Sequence, residues 1–62
     1  MNEDKLLTAE DVSQILSISL STVYYYAIKG LLPSIKFGRQ RRFKKSEILR
    51  WLKAQEKVNA AQ

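Results

Sequence analysis

Cysteine and histidine are both absent from this 62-residue chain. Disulfide staples are therefore excluded, as are the common thiolate and imidazole ligand sets of structural zinc. The same gap removes the usual catalytic nucleophiles and bases. With six carboxylates and no glycine-rich phosphate loop, an enzyme active site has little to be built from. One proline and two glycines leave few forced breaks in secondary structure. No apolar run approaches membrane-spanning length, and the opening Met1-Asn2-Glu3-Asp4 lacks a signal-peptide core. The expectation is one small cytoplasmic domain with no cofactor, metal, membrane or small-molecule ligand. At this size a single core is only marginally sufficient.

What the chain has is positive charge, unevenly placed. The net charge is +5. Residues 1–28 hold one base, Lys5, against Glu3, Asp4, Glu10 and Asp11, whereas residues 29–53 hold nine bases against one acid, Glu47. Six of those bases lie in the ten residues from Lys36 to Lys45, with no acid among them. Such asymmetry is the electrostatic footprint of a polyanion partner. An RNA or anionic-membrane binder and a protein adaptor are the competing classes. The last helix is too short, and its tryptophan too core-directed, for a lipid anchor.

Hydrophobic periodicity divides the chain into three helices and a hairpin. Thr8 and Asp11 have capping-box spacing, Glu10 and Asp11 suit a helix N-terminus, and Val12, Ile15 and Leu16 mark one face. Ser17-Ile18-Ser19 reads as a turn, with Ile18 plugging the gap between helices. Ser19 caps a second helix over Leu20–Lys29, stopped by Gly30 in the left-handed region. On its wheel, Val23, Tyr26 and Ala27 face inward, Ser21, Tyr25 and Ile28 outward, and Tyr24 sits between. Pro33 forbids helix continuation. Alternation about Gly38 then predicts a hairpin with loop Gly38-Arg39-Gln40. Ile35, Phe37 and Phe43 share its apolar face, and Lys36, Arg42 and Lys44 the opposite one. Arg41 breaks this pattern, its stem covering the core edge. Ser46 is the expected cap of the last helix, whose buried stripe is Ile48, Trp51 and Leu52 and which frays near Lys57. A basic hairpin beside a helix-turn-helix is a small α+β winged helix over residues 7–56, with a flexible lead-in over 1–6 and a flexible tail over 57–62.

The segments Leu7-Thr8-Ala9-Glu10-Asp11-Val12, Ser19-Leu20-Ser21-Thr22-Val23-Tyr24, Gly30-Leu31-Leu32-Pro33, Lys36-Phe37-Gly38-Arg39 and Phe43-Lys44-Lys45-Ser46-Glu47-Ile48, with Trp51-Leu52, occur in a telling order. Laid end to end, from about residue 6 to 53, they resemble the excisionase-type, MerR-like winged-helix family. The resemblance implies a recognition helix in the major groove of duplex DNA and a wing in the neighbouring minor groove. It also implies a role in phage or mobile-element excision, in transcription control, or in both, with a recombinase and neighbouring copies of the chain as further partners. Its setting would be the bacterial or phage nucleoid. The chain departs from the family at Leu20 and Tyr25, where arginine is common, and at Arg41, where an aromatic is expected.

Candidate DNA contacts on the second helix are Leu20, Ser21, Thr22, Tyr24, Tyr25 and Lys29. Tyrosine hydroxyls pair with phosphates and their rings touch thymine methyls, while Ser21 and Thr22 sit at the helix N-terminus. Ser21 and Thr22 have a competing structural reading as a capping turn, and Tyr24 and Tyr25 one as cover for the domain edge. In the wing, Arg39 and Arg41, with Gln40, are expected near the tip and minor groove. Lys36, Arg42, Lys44 and Lys45 are expected to clamp phosphates.

Overall fold

The computed structural model describes residues 5–60, the last four by backbone alone. A two-residue strand, β1 (Leu6–Leu7), leads into α1 (Ala9–Leu16). A tight turn then joins α1 to α2 (Leu20–Ile28). The hairpin strands β2 (Ile35–Phe37) and β3 (Gln40–Lys44) follow, and α3 (Lys45–Ala60) completes the fold. The result is a winged helix-turn-helix. Among the described residues, no helix is long and apolar enough to cross a membrane.

Local chemistry sets the helix ends. The Thr8 side chain accepts from the Asp11 backbone N–H at 3.1 Å, and the Asp11 carboxylate accepts from the Thr8 N–H at 3.0 Å, closing the expected capping box. Ser17 ends α1 in the left-handed region, at φ 57°. The turn is locked by Ser13, whose hydroxyl donates to the Ile18 carbonyl at 2.6 Å. The Ser19 side chain accepts from the Thr22 N–H, capping α2. At the far end Lys29 is the cap, one residue earlier than the expected helix end, and Gly30 takes φ +77°. Gly30 donates to the Ala27 carbonyl and Leu31 to the Tyr26 carbonyl. That is a Schellman closure, and it turns the chain sharply toward Pro33.

Eight buried residues from every layer meet in one core: Leu7, Ala9, Val12, Val23, Ala27, Leu32, Phe43 and Ile48. Leu16, Ile18, Tyr26 and Trp51 pack at its edge. The small Ala27 faces inward, as its wheel position predicts. Ile15 does not: it is exposed, and Ala9, at i−3 from Val12, completes the inner face of α1 instead. No buried residue is polar or charged among those described.

The sheet corrects the sequence reading in three places. The strand order is β1-β3-β2, so the hairpin is joined by a third strand. Leu6 pairs with Lys44 and Leu7 with Phe43, while Lys45 N–H donates to the Lys5 carbonyl. Residues 5 and 6 therefore belong to the domain rather than to a flexible lead-in; residues 1–4 lie outside the described part. Secondly, Phe37 pairs with Gln40, leaving a two-residue turn, Gly38-Arg39, where three residues were expected. Gly38 has φ +60° and Arg39 does not have positive φ, the pattern of a type II′ turn with glycine first. A one-residue change of register exchanges faces across a hairpin. Ile35 now pairs with Arg42, and Lys36 with Arg41, so Ile35 and Phe37 share a face with Arg42 and Lys44 rather than with Phe43. Finally, α3 begins at Lys45 directly after β3, so Ser46 lies inside the helix and does not cap it. The backbone of α3 runs on to Ala60, past the expected fraying at Lys57, with no glycine or proline to stop it. Residues 61–62 of the expected tail lie outside the described part.

Candidate nucleic-acid interface

The helix-turn-helix presents α2 by burying one side of it. Val23 and Ala27 enter the core, and Tyr26 packs at its edge with its ring centroid 6.4 Å from that of Trp51. The Trp51 indole N–H donates to the Leu31 carbonyl at 2.7 Å, tying α3 to the segment that leaves α2. The opposite side faces solvent and carries Leu20, Ser21, Tyr24, Tyr25 and Ile28. Tyr24 is thus placed on the outer face. Thr22 is half-buried, and its hydroxyl lies 2.8 Å from that of Ser19, so it is engaged in the cap. Ser21 is exposed beside it, with its hydroxyl 3.3 Å from the Ser19 hydroxyl. The Lys29 ammonium sits 5.6 Å from the centroid of the Tyr25 ring, a cation–π contact that places the one base of this region over an exposed aromatic.

In the wing and at its junction with α3, exposure divides the expected contact residues into two groups. Lys36, Arg39, Gln40 and Lys45 are exposed, with Arg39 in the turn itself. Arg41, Arg42 and Lys44 are half-buried. The Arg41 guanidinium donates to the Ser34 hydroxyl at 3.1 Å, and Arg42 donates to the Arg41 carbonyl at 2.8 Å and the Gln40 side-chain carbonyl at 2.9 Å. Arg41 therefore lies one pair below the turn, on the side of Phe43, with its guanidinium turned back to Ser34 rather than out at the tip with Arg39. Among the described residues, no cluster of acids, histidines or cysteines could hold a metal ion.

Hydrogen bonds to Asp11 from the Thr8 backbone N–H, then from the Thr8 side chain, hold its carboxyl below the ordinary carboxylate range. Lys5 adds a smaller pull in the same direction, and partial desolvation opposes it.

A family model described as a helix-turn-helix domain matches residues 6–56, which include both helices, the turn and the wing. The chain belongs to this excisionase-like helix-turn-helix family. The family binds DNA through this domain. A curated relative, the uncharacterized protein YvgK of Bacillus subtilis strain 168, is 40% identical over 48 residues. The match covers 77% of this chain and 16% of that protein, so the chain spans under a fifth of its relative's length. No solved structure matches.

Several features of this helix-turn-helix domain escaped the sequence reading. Strand β1 is only two residues long, too short for any alternation to register. Ser34 carried no signal as an Arg41 partner, because that pairing exists only once the hairpin register is known. The exposure of Leu31, immediately after Gly30, follows from the Schellman turn, which sends Leu32 inward in its place.

Proposed function

We propose that the chain binds duplex DNA sequence-specifically, α2 entering the major groove and the wing following the adjacent minor groove and its phosphates. The observation that carries this reading is the union, on one core, of an outward-facing, uncharged α2 and a hairpin bearing five bases, with Lys45 next to it at the start of α3. The base-contacting set is Leu20, Ser21, Tyr24 and Tyr25, with Lys29 near the groove edge. Arg39 and Gln40 lie at the wing tip toward the minor groove, and Lys36, Arg42, Lys44 and Lys45 along the backbone. Thr22 and Arg41 serve mainly to hold α2 and the wing in place, each from a position that still borders the DNA.

One recognition helix and one wing cover about a single turn of duplex, few contacts against the competing sites of a genome. Adjacent copies on repeated sites supply the missing affinity and favour a bent path. The biological role that fits is an architectural excision factor of a phage or mobile element, working beside a recombinase. A second reading is a small transcriptional regulator, which would use the same α2 and wing.

Gel-shift titrations on one, two and four tandem sites, with a phasing assay for curvature, separate these. The excision-factor reading expects monomeric free protein, cooperative filling and bent DNA. A stable dimer that binds one isolated palindrome without cooperativity would establish the regulator instead. Equal affinity for duplex DNA, RNA and anionic vesicles would overturn both.

A further inference from the structure

The outer face of α2 has a chemical peculiarity. None of its nine residues, Leu20 to Ile28, is charged, and none carries a carboxamide. Arginine and lysine read guanine in the major groove, and asparagine and glutamine read adenine. Neither kind of reader is present on α2. Lys29 does not fill the gap, because it caps the C-terminal end with its ammonium over the Tyr25 ring.

Outward-facing groups are apolar instead. Leu20 is 37% exposed, Tyr24 40%, Tyr25 55% and Ile28 67%. Leu20, Tyr24 and Ile28 are spaced i, i+4, i+8 and form one ridge along the helix, with Tyr25 beside it. A contiguous apolar face on so small a protein marks a contact surface. Two things decide its occupant. Six bases in the ten residues 36–45, the wing and the first residue of α3, complement a polyanion. On the polyanion's own major-groove floor, the apolar features are the C5-methyl groups of thymine and of 5-methylcytosine.

We propose that α2 selects its site through pyrimidine C5-methyl groups, packing Leu20, Tyr24 and Ile28 against a run of them. Hydroxyls of Ser21 and Tyr25 remain for phosphate or base-edge contact. This rests on the DNA-binding reading above and adds the class of sequence that is read.

The test uses two random duplex libraries, one made with thymine and one with deoxyuridine, which pairs identically and lacks only the methyl group. Sites enriched from the thymine library should carry thymine in the segment protected in the major groove. Replacing each of these thymines singly by deoxyuridine should weaken binding about three- to five-fold, the worth of one buried methyl-sized group. Exchanging such a T·A pair for C·G should weaken binding further, and 5-methylcytosine at that position should recover part of the loss. The double variant Leu20→Ala, Ile28→Ala, both positions being exposed, should fold normally and lose most of the preference for thymine over deoxyuridine, Tyr24 alone retaining a part. Sites insensitive to the methyl group would overturn the proposal. So would a thymine preference undiminished in the double variant, since it would then originate outside the ridge. Failure to retain any duplex from either library would instead overturn the DNA-binding reading itself.

Discussion

Arg39 and Arg41 stand two residues apart in the wing, and the structure gives them opposite consequences on replacement by alanine. Arg39 is exposed in the turn, where substitution changes stability by no more than about 0.5 kcal/mol. Its expected cost is in binding. A wing and helix that neutralise about four to six phosphates give a slope of log K against log salt of about −4 to −5, at about −0.9 per contact. Removing Arg39 should flatten the slope by about 0.9. Between 50 and 200 mM salt, the parent would then lose affinity about 500-fold and the variant about 150-fold. Arg41 is half-buried and holds Ser34 at 3.1 Å. Arg41→Ala removes that hydrogen bond and a half-buried aliphatic stem, together about 1–2 kcal/mol. A 62-residue domain has only about 3–9 kcal/mol in all. The melting temperature should therefore fall by about 5–15 °C. Fluorescence anisotropy at four salt concentrations reads the first effect, and circular dichroism melts read the second. An unchanged slope for Arg39→Ala would remove the wing tip from the DNA. A wild-type melt for Arg41→Ala would mean that the Ser34 bond and the half-buried stem add nothing to the fold.

Asp11→Asn should lower the melting temperature at pH 7 by weakening the capping box, and the gap from the parent should close in acid. Folding depresses this acid below its ordinary 3.8, so its contribution is complete above that value and is lost as pH falls through the lower folded value. Melts from pH 7 down to pH 2 check this, and a gap that persisted undiminished would rule out the carboxylate as its source. Gly38→Ala should destabilise by about 1–2 kcal/mol through backbone strain alone, since φ is +60° and nothing lies within 4 Å of an added Cβ. A synthetic chain with D-alanine at position 38 should instead gain about 0.4–1 kcal/mol, because positive φ suits it and the unfolded chain loses freedom. Equal effects of the two enantiomers in thermal melts would show that the turn is not the one described.

Much of this fold is legible without coordinates because its signals are local. The Thr8–Asp11 capping box, the Ser19 cap and the Gly30 stop each depend on groups within a few residues of one another. Helical phase likewise placed Val12, Val23 and Ala27 in the core and Tyr25 in solvent. Errors arose where the answer depends on partners distant in sequence. The phase of α1 nominated Ile15, yet the core beneath that helix is completed by Ala9, because β1 and β3 occupy the space on that side. Ser46 resembled a cap only while a loop was imagined between β3 and α3.

The wing shows the boundary between the two kinds of information. Composition alone determined that residues 36–45 form a dense cationic element with a glycine turn, and α2's residue types determined that its outer face is uncharged. Loop length was not in the sequence, since Gly38-Arg39 and Gly38-Arg39-Gln40 are both acceptable hairpin connections. Tertiary structure decided between them through the pairing of β2 with β3, in which Ile35 lies opposite Arg42 and Lys36 opposite Arg41. Phe43, fully buried opposite Leu7 of β1, fixes the parity of β3 under either turn; the two-residue turn sets that of β2 and puts Ile35 and Phe37 on the face away from Phe43. Side chains alternate with a period of two, so a single buried contact decides every other orientation in the strand.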